Sequence, residues 1–161
     1  MVVVVMGVAG AGKTEVGRQL AAALGWRFVE GDDFHSEANR AKLARGVPLD
    51  DADRAPWLAA LRAEIERTLA AGEGAVVTCS ALKRAYQREL VVDRNRVKLV
   101  HLTGSKALLA ERIGNRRGHF ADPKILDSQL ATLEPPEDAI TIDVTPPPAE
   151  IVAAIRRALG V

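Results

Sequence analysis

MVVVVMGVAGAGKT, residues 1–14, is an apolar, β-branched strand that runs directly into a glycine-rich turn ending in Lys13-Thr14. The turn, Gly7-Val8-Ala9-Gly10-Ala11-Gly12-Lys13-Thr14, has the pattern G-x-x-x-x-G-K-[ST] of a phosphate-binding loop, or P-loop. Gly7 and Gly12 let the backbone curl until several N–H groups face inward, where the positive end of the next helix also points. The Lys13 ammonium can reach the β- and γ-phosphates of a nucleoside triphosphate as a mobile charge. The Thr14 hydroxyl can ligate the Mg2+ that bridges them. The expected nucleotide-binding set is Gly7, Ala9, Gly10, Ala11, Gly12, Lys13, Thr14 and Glu15. Val16, Leu20 and Leu24 recur at helical spacing after the loop, and Gly25 is placed to stop that helix.

The 161 residues are read as a single domain, 1–161, long enough to bury about two thirds of its unfolded surface without staples. Cys79 has no second cysteine with which to form an internal disulfide, and Met1 leads into a strand with neither a basic segment nor a signal-cleavage pattern. A cytoplasmic protein is expected. Lys and Arg number 22 against 21 Asp and Glu, a net charge of +1, so no global field favours nucleic acid or an anionic membrane. No apolar run approaches bilayer length, and aromatics at 4% leave few stacking platforms for single-stranded nucleic acid. The expected ligand is a small molecule.

Strand and helix patterns then alternate. Trp26–Glu30 reads as a second strand ending at Gly31-Asp32-Asp33-Phe34-His35, and Ser36 as the cap of a helix stopped by Gly46 and Pro48. Asp50–Asp53 precedes a longer helix with Leu58, Leu61, Ile65 and Leu69 on its core stripe and Arg62, Glu64, Glu66 and Arg67 expected outside. Residues 75–79, 97–102 and 139–144 read as further strands, with helices over 83–92, 105–116 and 146–159 and a short one opened by Asp122-Pro123. Such alternation predicts an α/β fold of the P-loop kinase type: a five-stranded parallel sheet, P-loop strand central, with helices on both faces. His101 is expected in the core or at the sheet edge, and Trp57 and Cys79 in the core.

Carboxyl ends of parallel strands are where ligands bind, so Glu30, Asp32 and Asp33 are candidates to face the γ-phosphate. A regulatory GTPase would carry D-x-x-G and N/T-K-x-D, and both are absent. A small-molecule kinase needs a carboxylate for the acceptor hydroxyl, mobile arginines for the transferring charge, and a lid that excludes water. Asp32 is the expected catalytic carboxylate, beside Lys13. Arg112, Arg116 and Arg117, entering a glycine-containing loop, form an arginine lid over about residues 115–124; Arg112 and Arg116 are expected at the nucleotide and Arg117 at the transferring group. The Leu133-Glu134-Pro135-Pro136 turn is a candidate wall for the adenine.

Several stretches taken in order resemble the gluconate kinases. They are Gly31–His35, Asn39–Leu43, Gly46–Leu58 (GVPLDDADRAPWL), Cys79–Tyr86 (CSALKRAY), Arg117–Phe120, and Asp127-Ser128-Gln129 through Thr132–Pro136. The likeness spans nearly the whole chain. It implies ATP- and Mg2+-dependent phosphorylation of the 6-hydroxyl of D-gluconate, a fold similar to shikimate and nucleoside monophosphate kinases, and a homodimer. Gluconate is a hydroxylated anion, so its pocket needs a cation and short polar groups. Within the matching motifs Asp32, His35, Lys42, Arg54, Ser80, Lys83, Arg84 and His119 are the supply. Thr14, Glu30 and Asp32 are the expected metal-side residues. Glu30 stands where relatives are expected to carry Asp, and no acid ends the third strand. Open alternatives are a kinase of shikimate, a nucleoside monophosphate or another sugar acid, and a nucleotide-binding regulator without turnover.

Overall fold

The computed structural model describes residues 1–115 and 123–161. Its elements in chain order are β1 (Val2–Met6), α1 (Lys13–Leu24), β2 (Arg27–Glu30), a 3-10 turn (Gly31–Phe34), α2 (Glu37–Ala44), α3 (Asp51–Ala70) and β3 (Ala75–Thr78). They continue with α4 (Arg84–Leu90), β4 (Val97–Thr103), α5 (Lys106–Gly114), α6 (Pro123–Thr132), β5 (Ile140–Asp143) and α7 (Pro148–Leu159). The strands form one parallel sheet in the order β2-β3-β1-β4-β5, with the P-loop strand in the middle. This is the expected α/β architecture.

Alternation along β1 divides the core. Val3 and Val5 join α1, α5 and α7 residues such as Leu20, Leu109 and Ile155 on one face. Val2, Val4 and Met6 join Leu58, Leu61 and Ile65 of α3 and Leu90 of α4 on the other. Every β1 side chain is fully buried, which explains a run of valines rather than an apolar–polar alternation. Each such burial is worth about 1.5–3 kcal/mol.

Register brings the chemistry to one edge. Val5 pairs with Thr78 in β3, and Thr78 in turn pairs with Glu30 in β2, so the P-loop, the β3 end and the β2 end are neighbours in space. His101 pairs with Met6 and is buried, as are Trp57 and Cys79. Burial pushes the Cys79 thiol up to about 12, so it stays a neutral, small apolar side chain.

The structure corrects one assignment on α3. Glu64, expected in solvent beside Arg62, Glu66 and Arg67, is buried. The reason is its neighbour on the edge strand: Arg27 of β2 reaches Glu64 at 2.6 Å and also donates to Thr68 Oγ1 at 2.9 Å, while Arg67 closes on the other carboxylate oxygen. Two guanidiniums replace the water that the carboxylate gives up. Of the expected lid, Arg116, Arg117 and His119 lie outside the described residues; on either side of them Asn115 caps α5 and Pro123 opens α6.

Candidate active site

The phosphate loop is anchored from below and open above. Val8, Ala9 and Ala11 are buried in the core, which leaves the loop's path to its glycines. Gly10 has φ of 82°, and a Cβ there would sit 2.7 Å from the Leu109 carbonyl oxygen; Gly12 has φ of 87° and opens α1. Only glycine fits both demands at position 10. Lys13 Nζ donates to the Val8 carbonyl at 3.2 Å, the Ala11 N–H donates to the same oxygen at 3.2 Å, and the Ala9 N–H donates to Gln129 Oε1 of α6 at 2.7 Å. Glu15 lies in the first turn of α1 and is exposed.

A cavity of about 270 Å3 adjoins Ala11 and Gly12 and is lined by Glu15, Arg112, Pro146 and Pro148. Arg112 donates to the Val144 carbonyl at 2.6 Å, so its guanidinium is held at this wall. The segment after β5 therefore borders the loop here. In the Leu133–Pro136 turn, the candidate adenine wall, the Glu134 N–H donates to the Leu82 carbonyl at 2.7 Å.

The expected metal-side acid is tightly held. Thr14 Oγ1 donates to Glu30 Oε2 at 2.6 Å, and Thr78 Oγ1 donates to Glu30 Oε1 at 2.6 Å. Thr78 Oγ1 also accepts the Gly31 N–H at 3.1 Å. A Cβ at Gly31 would lie 1.9 Å from the Thr78 carbonyl oxygen, so the chain leaving β2 can press against β3 only as glycine. Among the described residues no three His, Cys, Asp or Glu side chains converge as a cage for a metal. The Thr14 hydroxyl and Glu30 carboxylate fit a hard cation that keeps waters and takes its remaining oxygens from phosphate, as Mg2+ does.

Beyond Glu30 the chain turns through Gly31–Phe34 and exposes Asp32, whose side chain retains 73% of its accessible surface. Asp32 caps no helix; the cap of α2 is Ser36, which accepts the Asn39 N–H at 3.1 Å. Its neighbour is His35, with Nε2 3.9 Å from Asp32 Oδ1. His35 is buried, stacked on Trp57 at 4.1 Å between ring centroids, and its Nδ1 meets Asn39 Nδ2 at 3.2 Å. Trp57 is fixed by its indole N–H, which donates to the Gly31 carbonyl at 2.8 Å. Burial holds the His35 pKa below its ordinary value; Asp32 works against this, and Arg40 and Arg54 add to it.

Across from this turn lies a polar cluster built by α3 and the start of α4. Lys83 Nζ donates to Asp51 Oδ1 at 2.9 Å, the Tyr86 hydroxyl donates to the same oxygen, and Arg54 donates to the Tyr86 hydroxyl at 3.3 Å. Both cations also lie over the Tyr86 ring, Arg54 at 5.5 Å and Lys83 at 5.7 Å. The hydrogen bonds hold Asp51 below the usual carboxylate range, chiefly through Tyr86, and raise Lys83, chiefly through Asp51. Lys42 is engaged separately, donating to Asp53 at 2.8 Å. Ser80 is half-buried, and Ala81 beside it has φ of 45°, the left-handed conformation that costs a non-glycine residue energy.

Arg84 goes the other way. Its N–H donates to Glu134 Oε1 at 2.9 Å, its Nε donates to the Pro135 carbonyl at 3.1 Å, and Nη1 lies 3.5 Å from Glu137. The structure thus joins Thr14 to Glu30, Asp32 to His35, and Lys83 with Arg54, while Arg84 is committed to the 134–137 segment. Sequence reasoning missed Thr78, Asp51, Tyr86 and Gln129. Thr78 stands at the end of β3, where an acid was sought and a hydroxyl should also have counted. Tyr86 follows Lys83 by three residues, one helical turn.

A family model described as an AAA domain matches residues 2–136. The gluconokinase of Gluconobacter oxydans (strain 621H) is 52% identical over 135 residues, covering 84% of this chain and 76% of that one. The probable gluconokinase of Rattus norvegicus is 42% identical over 179 residues, covering 98% and 97%. Among solved structures, a gluconokinase from Sinorhizobium meliloti 1021 superposes with a TM-score of 0.87 at 45% identity, covering 98% of this chain and 90% of that one. A shikimate kinase from Aquifex aeolicus vf5, 18% identical with a TM-score of 0.64, shares the fold alone. On these grounds the chain belongs to the gluconokinase family of P-loop kinases.

Proposed function

We propose that this protein transfers the γ-phosphoryl group of ATP to the 6-hydroxyl of D-gluconate, giving 6-phospho-D-gluconate and ADP by direct in-line displacement. One observation carries the reading. An exposed carboxylate, Asp32, sits on the strand edge that also carries Lys13 and Thr14, two residues past the acid that Thr14 binds.

ATP enters with its β-phosphate against the loop N–H groups at the start of α1. Lys13 leaves the Val8 carbonyl for the phosphates, a short swing for a flexible ammonium. Thr14, with Glu30 behind it, would hold Mg2+, which would supply charge neutralisation to the phosphates. Asp32 orients the acceptor hydroxyl and takes its proton as the new O–P bond forms and the β–γ bridge breaks. His35, pinned by Trp57 and Asn39, borders Asp32 and lines the acceptor side with it. Lys83 and Arg54 offer paired positive charge to the gluconate carboxylate, with Ser80 near its hydroxyls. Arg112, Arg116 and Arg117 neutralise charge on the nucleotide and the transferring group, and His119 meets the acceptor from the same segment.

The reading extends to a cytoplasmic homodimer; sedimentation of the purified protein tests the pairing. The decisive assay is ADP release from ATP and Mg2+ with D-gluconate, beside shikimate, AMP, glucose and other sugar acids. Turnover stimulated by gluconate alone is expected. Preference for another acceptor overturns the pocket assignment, and ATP binding without transfer to any acceptor overturns the enzymatic one.

A further inference from the structure

The peptide between Val8 and Ala9 is held at both ends. Its carbonyl oxygen accepts from Lys13 Nζ and from the Ala11 N–H, each at 3.2 Å, and its N–H donates to Gln129 Oε1 at 2.7 Å. Rotation of this peptide plane proceeds through ψ of Val8 and φ of Ala9, and the bonds at its two ends are what oppose it. Such a rotation would take the Val8 carbonyl and the Ala9 N–H out of the orientation that the loop presents. The bond from Lys13 is given up when Lys13 is drawn to the phosphates, which leaves the Ala11 N–H on the carbonyl and Gln129 on the N–H to hold the plane.

The helix that presents Gln129 is well fixed. Leu126, one turn earlier on α6, is buried in the same cluster as Val8, Ala9 and Ala11. At its other end the Leu133 N–H donates to the Gln129 carbonyl at 2.8 Å, and the Glu134 N–H donates to Leu82 at 2.7 Å, just before Lys83. One helix and the turn after it thus touch the phosphate loop with Gln129 and the acceptor-side loop with Glu134. A neutral acceptor suits the first of these places, since a carboxylate would stand against the phosphates.

We propose that Gln129 is a positioning residue for the nucleotide: its side-chain carbonyl holds the Ala9 N–H, and with it the Val8–Ala9 peptide, in the orientation that receives the phosphates. The proposal rests on the reading of this loop as the ATP site. Calorimetric titration with ATP and Mg2+, without any acceptor, separates the two: wild-type protein that does not bind ATP defeats the site reading, whatever the variants do.

Gln129→Met keeps the side chain's length and removes the acceptor. It is expected to weaken ATP binding about fivefold, the worth of one hydrogen bond, with the KM for gluconate unchanged. Gln129→Glu keeps an acceptor oxygen but adds charge, and is expected to weaken ATP binding further, with a loss that shrinks as salt is raised. Unchanged ATP affinity in Gln129→Met, alone or with a lowered melting temperature, overturns the proposal. Tighter ATP binding overturns it too, by making Gln129 a stand-in that phosphate displaces. Should Gln129→Met fail to fold, Gln129→Leu, which also lacks the acceptor, decides, and wild-type affinity in that variant sinks the idea.

Discussion

Thr14 donates its hydroxyl to Glu30 at 2.6 Å, which links the phosphate loop to the end of β2 through a single hydrogen bond. Thr78 grips the other carboxylate oxygen at the same distance. Glu30 is therefore oriented by two hydroxyls from two different elements.

This arrangement makes metal dependence the sensitive readout. Glu30→Gln keeps the shape and removes the charge, so the Mg2+ concentration for half-maximal activity should rise about tenfold or more while the fold persists. Thr78→Val should cost about 1–3 kcal/mol of stability by leaving the Gly31 N–H without its acceptor, and should move the Mg2+ requirement less. Denaturant unfolding and Mg2+ titration of activity check the pair. An unchanged Mg2+ requirement in Glu30→Gln would remove Glu30 from the metal side.

Asp32→Asn should lower kcat by about two to four orders of magnitude with ATP affinity intact, because the carboxylate is exposed and its neighbour His35, at 3.9 Å, is fixed by Trp57 and Asn39. Single-turnover kinetics and ATP titration distinguish this from a structural role, in which both would fall together.

Lys83→Met should raise the KM for gluconate at least about tenfold and leave the KM for ATP near wild type. Since the Asp51 hydrogen bond raises the Lys83 pKa above its ordinary value, Lys83 remains charged through neutral and mildly alkaline pH. The wild-type KM for gluconate should accordingly be flat between about pH 7 and 9; a rise across that range would count against Lys83 as the carboxylate's partner.

His35 ties stability to pH. Burial lowers its pKa in the folded protein, so the unfolded chain binds the extra proton first as pH falls. The stability this side chain contributes is complete above about pH 6.5 and is lost as the pH drops toward the folded value. Thermal melting of the wild type should decline from pH 7 to 5. His35→Gln should melt with a shallower dependence, though not a flat one, because His101 is lowered by burial as well. Identical slopes for the two proteins would show that His35 titrates normally.

Much of the frame was legible in residues 1–14 and in the alternation that follows, because hydrophobic period, capping residues and the glycine–lysine–threonine pattern act over a few residues at a time. The central place of β1, the α3 stripe of Leu58, Leu61, Ile65 and Leu69, and the candidacies of Lys13, Thr14, Glu30 and Asp32 all come from such local signals. What only the tertiary structure decided are contacts between segments distant in sequence: Thr78 on Glu30, Gln129 on Ala9, Tyr86 between Asp51 and Arg54, and Glu64 drawn inside by Arg27. Arg84 belongs with these, since its neighbour Lys83 turns toward Asp51 while Arg84 itself is taken by Pro135 and Glu137. The physical reason is that a polar side chain's partner is set by strand register and helix placement, and those emerge only when the whole core packs.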